Sequence, residues 1–317
     1  MKNNVLTPGL ADAMVRVTEL AAIAAAKEVG RGDEKKADAA AVDAMRTAFN
    51  AVDFKGRVVI GEGERDEAPM LYIGEEVGTN NGPEIDIALD PLEGTTLTAK
   101  AMANALAVLA IAPRGGLLHA PDTYMDKVAV GPGYPDGIIS LDATPAENIT
   151  ALAKHKGVPV SEMTACVLDR PRHEEIIASL RGVGARIALI TDGDVAGIIA
   201  TTDPQTGIDF YVGSGGAPEG VLAAAALKCV GGQMFARLVF RNDDEKKRAT
   251  RVGITDFGRT YSLNELASGE TVFCATGVTD GSLLDGVKHA AGHVHTHTLV
   301  MTSTDGMVRH VRSDRKA

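Results

Sequence analysis

The side chains of this chain best suited to chemistry on an anion are Asp38, Glu62, Asp66, Asp90, Glu93, Thr95, Arg170, Arg172, Asp192, Asp194 and Glu219. Carboxylates with no nearby Cys or His select hard cations, Mg²⁺ or Mn²⁺, over zinc or copper. Arg170 and Arg172 can grip phosphate through bidentate forks. Gly215-Gly216-Ala217-Pro218-Glu219 reads as a glycine-rich opening to a helix, where backbone N–H groups and the helix dipole attract an anion. Hard metals beside anion sites point to phosphate chemistry. Hydrolysis of a phosphate monoester is among the slowest reactions in water, and a paired-metal site answers it by lowering the pKa of bound water and clamping the displaced oxygens. A G-x-x-x-x-G-K-[ST] loop is lacking, and Gly61-Glu62-Gly63 is too acidic to cradle phosphate without metal, so kinase and ATPase readings lose weight.

These residues must be positioned by strand ends and helix starts. Ile85, Ile87 and Leu89 alternate with Asp86, Ala88 and Asp90, the period of a strand, and Pro91 predicts its end at Asp90. Asp90 and Glu93 then fall on the following turn, where Gly94 permits close backbone approach and Thr95 and Thr96 add hydroxyls. Val58-Val59-Ile60 is a short strand running into the acidic loop from Gly61 to Glu67. Alone, such a loop is a solvated turn. Two acidic strand ends favour a site instead, because ligands of α/β sheets gather outside the carboxyl ends of strands.

The remaining elements follow from period and punctuation. Residues 10–29 space apolar groups as a helix, and a second helix is expected from Ala39 to Phe49 with Asp38 near its start, where an acid by itself is a cap. Ala105 to Ala112 is a buried strand, and residues 122–127 read as a polar loop in which Tyr124 suits core or ligand contact equally. Turn signals around residues 140–157 place a lobe boundary, giving an N-terminal metal-site lobe at 1–150 and a C-terminal lobe at 151–317. Three strands of the second half lead into helices through Asp169-Arg170-Pro171-Arg172-His173, Thr191-Asp192-Gly193-Asp194 and Gly213 to Glu219, which implies a parallel or mixed sheet. Asn242 to Arg251 reads as a charged, solvated loop. His293, His295 and His297 would share one strand face, which is more simply a polar face than a metal site.

A chain of 317 residues with 45% hydrophobic content fits a soluble globular protein of two domains or lobes. Its 32 basic and 42 acidic residues give a formal charge of −10, which argues against nucleic acid as a partner. An anionic substrate therefore needs local basic groups or cations. No apolar run is long enough to span a bilayer, and the N-terminus lacks the order of a signal peptide. Cys166, Cys229 and Cys274 are odd in number, far apart and in apolar contexts, as expected of reduced core thiols in a cytoplasmic protein.

Seven blocks of sequence together resemble class II fructose-1,6-bisphosphatase, the bacterial type within the lithium-sensitive, inositol-monophosphatase-like phosphatase superfamily. They are Gly30-Arg31-Gly32-Asp33 with Ala37-Asp38, Gly61 to Glu64 with Asp66 to Tyr72, Asp90 to Thr96, Ala120-Pro121-Asp122 with Tyr124-Met125, Pro171-Arg172-His173, Asp192 to Val195, and Gly215 to Gly220. The resemblance implies a layered α/β/α/β/α sandwich of the sugar-phosphatase type. It also implies hydrolysis of fructose 1,6-bisphosphate to fructose 6-phosphate and phosphate, a step of gluconeogenesis, with Mn²⁺ or Mg²⁺. By the same resemblance Asp38 and Glu62 look like ligands of one metal, and Asp90, Glu93 and Glu219 like ligands of another. Thr95, with Asp66 as partner, would orient and help deprotonate the attacking water. Glu93, Gly94, Thr95, Tyr124, Arg170, Pro171, Arg172, Asp192, Gly193, Asp194 and Gly216 look like the substrate-binding set. A homo-oligomer, dimer or tetramer, is implied as well. Two other readings share these residues: a dual fructose-1,6-/sedoheptulose-1,7-bisphosphatase of the Calvin cycle, and a catalytically silent sugar-phosphate sensor. The chain departs from some members in carrying Glu34 where they carry Lys, and its 241–260 region is shorter than in longer relatives.

Overall fold

The computed structural model describes residues 5–63 and 70–316. Two compact units result, one from Met1–Leu118 with Ser268–Ala317 and one from His119–Ala267. The expected boundary near residue 150 thus lies inside the second unit. Strand pairing is the cause: Tyr124–Val130 pairs with Phe210–Gly216 and Gln233–Val239, while Val272–Gly277 returns to pair with Leu106–Pro113.

In the first unit the helix Pro8–Ala26 starts at Thr7, whose hydroxyl accepts from the N–H of Leu10 at 3.2 Å, with Pro8 at its first position. Leu10, Met14, Val17, Ala21 and Ala25 repeat at helical spacing and are buried. The helix Glu34–Phe49 is capped by Asp33, which accepts from the N–H of Lys36 at 3.0 Å, so Asp38 sits within the helix and not at its cap. Both helices pack their apolar stripes into one core with Ile85, Ile87, Leu89, Leu109 and Ile111 of the sheet. Burying each such side chain contributes on the order of 1.5–3 kcal/mol. The sheet has eight strands among the described residues, in the order Lys288–Ala290, His293–Thr302, Val272–Gly277, Leu106–Pro113, Glu84–Glu93, Lys55–Ile60, Glu76–Val77, with Met307–Lys316 pairing to His293–Thr302. Lys55–Ile60 and Glu84–Glu93 run parallel, and the other pairs are antiparallel.

The second unit is a mixed sheet in the order Thr260–Ser262, Gln233–Val239, Tyr124–Val130, Phe210–Gly216, Thr164–Leu168, Arg186–Ile190. Strand alternation gives it two faces. Val128, Val130, Ala165, Val167, Phe210 and Val212 meet Ile149, Leu152 and Leu180 of the helices Pro145–Lys156 and Glu174–Gly182. On the other face Gly197 of the helix Asp194–Ile199 lies against Cys166 and Tyr211, and Gly220 of the helix Ala217–Val230 lies against Met125 and Lys127. A methyl at Gly220 would come within 2.5 Å of the Met125 sulfur, so the close packing depends on glycine. Helices layered on mixed sheets make this an α/β sandwich fold of the expected class.

Three local expectations change. The strand beginning at Glu84 continues past Asp90 to Glu93 through a register shift opposite Leu106–Val108, and this bulge accommodates Pro91, which lacks an N–H for the ladder. Residues 124–127 are strand and not loop, since both neighbours in the sheet hold them. Asp243–Arg251 is a helix, capped by Asn242, whose side chain accepts from the N–H of Glu245 at 2.9 Å. Cys166, Cys229 and Cys274 are all buried, and the Cys229 thiol donates to the Ala225 carbonyl at 3.2 Å. No helix among the described residues is long and apolar enough to cross a membrane.

Candidate active site

The acids of the first unit gather at the carboxyl ends of its two parallel strands. Ile60 is in register with Ala88, so Glu62 and Asp90 each lie two residues further along neighbouring strands. Gly61 makes the turn possible, because a β-carbon there would stand 2.1 Å from the Leu71 carbonyl oxygen. Glu62 is half-buried, and its carboxyl is pushed up to about 8, first by burial and then by the charge of Asp38. Burial raises Asp38 as well. Neither side chain has a hydrogen bond or ion pair among the described residues. Two acids of this kind are held together at a cost that a cation would remove.

Glu93 is buried at 4% exposure just beyond the bulge, while Asp90 is half-buried and accepts from the N–H of Leu92 at 3.0 Å. Gly94 then takes φ 87°, a left-handed conformation that favours glycine, and Thr95 opens the short helix Thr95–Ala99. That helix is tied to the segment preceding the Asp38 helix. Gly30 donates to the Thr98 carbonyl at 2.9 Å, Gly32 donates to the Ala99 carbonyl at 3.0 Å, and Thr96 Oγ1 donates to Glu34 Oε1 at 2.9 Å. Glu34 is therefore engaged with the threonine turn. Asp66 lies outside the described residues. No group of three or more His, Cys, Asp or Glu among the described residues is close enough to hold a metal by itself, and this includes the His293, His295 and His297 face. His297 instead pairs with His310, Nε2 to Nδ1 at 3.0 Å.

The second unit holds Glu219 in the first turn of the helix Ala217–Val230. Its Oε2 is buried without a hydrogen-bond partner among the described residues, and its carboxyl is pushed up to about 7 by burial and by Asp194, against the opposing charge of Lys127. A β-carbon at Gly216 would meet that same Oε2 at 1.8 Å, so glycine leaves the room the carboxylate occupies. An orphaned buried carboxylate oxygen fits a hard cation, as does the all-oxygen set Asp38, Glu62, Asp90 and Glu93.

Asp194, by contrast, is already engaged. Fully buried Lys127 donates to Asp194 Oδ2 and, at 2.9 Å, to the Gly216 carbonyl, and the Tyr211 hydroxyl lies 3.4 Å from the same Oδ2. Gly193 repeats the left-handed turn of Gly94 with φ 82°, and its N–H meets Asp192 Oδ1 at 3.1 Å. Arg170 precedes a single helical turn over Pro171–His173 and donates to the Asp169 carbonyl at 3.1 Å. Arg172 donates through Nε and Nη2 to the Ser214 carbonyl at 3.0 and 2.8 Å and lies 4.9 Å from the centroid of Tyr124. Buried His173 anchors that turn: Nδ1 is 2.7 Å from the Leu168 carbonyl and Nε2 accepts from the Ser214 N–H at 2.8 Å, so the proton resides on Nδ1. Burial and the charge of Arg172 lower its pKa, which keeps the ring neutral.

Sequence reasoning missed Lys127, Arg241 and Glu245. Lys127 stands on the inward phase of its strand with Met125 and Ala129, and a lysine in that phase needs a buried acid. The signal at Arg241 was the cap Asn242-x-x-Glu245 hidden in a charged run.

The profile of the family described as bacterial fructose-1,6-bisphosphatase, glpX-encoded, matches residues 8–315. A Prochlorococcus marinus (strain NATL1A) protein named D-fructose 1,6-bisphosphatase class 2/sedoheptulose 1,7-bisphosphatase is 45% identical over 314 residues, covering 95% of this chain and 94% of that protein. One of the same name from strain MIT 9301 is 45% identical over 310 residues, covering 93% of each. The chain belongs to the glpX-encoded bacterial fructose-1,6-bisphosphatase family. It is thereby a phosphoric monoester hydrolase of the class II type, in a family of metal-dependent phosphatases.

Proposed function

We propose that this chain removes the 1-phosphate of fructose 1,6-bisphosphate, giving fructose 6-phosphate and phosphate in gluconeogenesis, with Mn²⁺ or Mg²⁺ as cofactor. The observation that carries the reading is the Asp38–Glu62 pair, partly buried acids near enough for the charge of Asp38 to raise Glu62, with neither in an ion pair among the described residues. Asp38, Glu62, Asp90, Glu93 and Glu219 are the proposed metal ligands. When bound, the metal supplies charge neutralisation of the transferring phosphate and acidifies the attacking water.

The chain's own residues do the rest. Thr95 orients the water through its hydroxyl, fixed by the left-handed turn at Gly94, and Asp66 is the proposed acceptor of its proton. Arg172 and Arg170 bind phosphate, Tyr124 supplies a flat wall, and Glu93, Gly94, Pro171, Asp192, Gly193, Asp194 and Gly216 complete the proposed substrate set. Within that set the Asp194 carboxylate acts through position, since Lys127 already holds it. Phosphate release from fructose 1,6-bisphosphate, measured with and without each metal, tests the proposal. Release that depends on metal supports it, and a protein inert with both metals overturns it.

A second substrate, sedoheptulose 1,7-bisphosphate, is favoured by the double name of both Prochlorococcus relatives. Comparing kcat/KM for the two sugars decides between a single and a dual bisphosphatase. The same reading takes the enzyme as a cytoplasmic homo-oligomer, a dimer or tetramer, which light scattering on the purified protein checks.

A further inference from the structure

The Tyr124 ring carries two guanidiniums. Arg172 lies 4.9 Å from its centroid, and Arg241, from a different element, lies 4.7 Å from it. Both arginines are exposed, yet both are fixed. Glu245, itself 1% exposed, accepts from the backbone N–H of Arg241 and from its Nε, each at 2.7 Å, and Thr123 steadies the other side of that carboxylate at 3.0 Å. Burial pushes Glu245 up, but the hydrogen bonds from Arg241 outweigh it and hold the carboxyl below its usual range. A buried acid committed to an exposed arginine serves to aim that arginine.

The two cations use their Nε sides for the protein, and Nη1 of neither makes a hydrogen bond among the described residues. Among the described residues Arg172 and Arg170 bond to backbone carbonyls and form no ion pair with a carboxylate. Holding like charges over one ring costs Coulomb energy that an anion of charge −2 would recover. Flexible surface arginines on a chain of net charge −10 would otherwise turn to the acids around them.

We infer that Arg241, aimed by Glu245, joins Arg172 in gripping the phosphate that stays on the sugar, so that Arg241 sets the preference for a bisphosphate over a monophosphate. This rests on the reading of the chain as a sugar bisphosphatase. It assigns a binding role to Arg241 and a positioning role to Glu245.

The test uses the full-length protein with metal and the variants Arg241→Ala, Arg241→Lys and Glu245→Gln. Arg241→Ala is expected to raise KM for fructose 1,6-bisphosphate about tenfold or more, the loss typical of a charge-assisted hydrogen bond. Its kcat is expected to stay within about threefold, because uniform binding is lost and not transition-state binding. The ratio of kcat/KM for fructose 1,6-bisphosphate over fructose 1-phosphate should fall in step. Arg241→Lys keeps charge without the fork and should fall between, as should Glu245→Gln. An unchanged KM, or equal losses on both substrates, overturns the inference. Calorimetric binding of fructose 6-phosphate separates it from the activity: Arg241→Ala should weaken binding about tenfold even if turnover is absent. Equal binding by wild type and variant, or none by wild type, sinks it.

Discussion

Two acid-bearing clusters teach opposite lessons about where charge is wanted. In the first unit Glu62 is set beside Asp38, acid against acid, and burial with that neighbour raises its carboxyl to about 8. In the second unit buried Asp194 is set against Lys127, acid against base, with the Gly216 carbonyl taking another of the lysine's hydrogens. Glu62 follows a strand of its sheet while Asp38 comes from a helix, and Asp194 follows a strand of the other sheet directly after the left-handed turn at Gly193. The first cluster needs charge from outside and suits a metal. The second is complete in itself and suits the shaping of a wall. Residue type alone does not separate a ligand from a strut; the partner does.

The comparison can be broken, most severely by removing metal. Chelation should abolish phosphate release from fructose 1,6-bisphosphate, and Mn²⁺ or Mg²⁺ should restore it; full activity after exhaustive chelation would empty the Asp38–Glu62 pair of its role. Next comes Thr95→Ala, expected to lower kcat by about 10²–10⁴ with binding of fructose 6-phosphate largely kept, the range for losing a group that acts in proton transfer. Unchanged turnover would remove Thr95 from the mechanism.

Lys127→Met tests the other side of the comparison. It leaves the Asp194 carboxylate buried without its base, a change that costs about 3–5 kcal/mol of stability. Denaturant unfolding should show the loss, and Asp194→Asn in the same chain should recover part of it. A variant as stable as wild type would mean the pair is not a strut.

The smallest effect concerns pH. Glu62 has a folded pKa of about 8 against an ordinary 4.5, so between those values the folded metal-free protein binds more protons than the unfolded chain. Stability of the metal-free protein should therefore fall as pH rises from about 4.5 to about 8 and change little from this group beyond that window. Glu62→Gln should flatten the slope of Tm against pH, and an identical slope would contradict the raised carboxyl.

Much of this was legible before the structure, and the failures have physical reasons. Short-range signals worked where period and punctuation are strong: Arg186–Ile190 is the strand expected ahead of Thr191-Asp192-Gly193-Asp194, and Pro218 near the start of the Ala217–Val230 helix marks its opening. The acids at strand ends were visible because a strand that stops at Asp or Glu has no core reason to do so. Asp90 was placed at the end of its strand because Pro91 forbids a ladder bond, and a bulge absorbed that constraint instead. The domain boundary was misplaced because strand pairing over sequence separations of 161 to 171 residues leaves no mark in local composition. Lys127 escaped for the same reason, since Asp194 arrives from elsewhere in the chain, as does the Tyr124 ring beside Arg241, whereas Glu245 stands only four residues from Arg241 and was hidden by the charged run around it.

The most direct measurement is phosphate release from fructose 1,6-bisphosphate as a function of added Mn²⁺, for metal-stripped wild type beside Glu62→Gln. A metal held by Asp38 and Glu62 predicts saturable activation of wild type and a requirement for on the order of tenfold more metal, or more, in the variant. Equal metal dependence in the two proteins would contradict it.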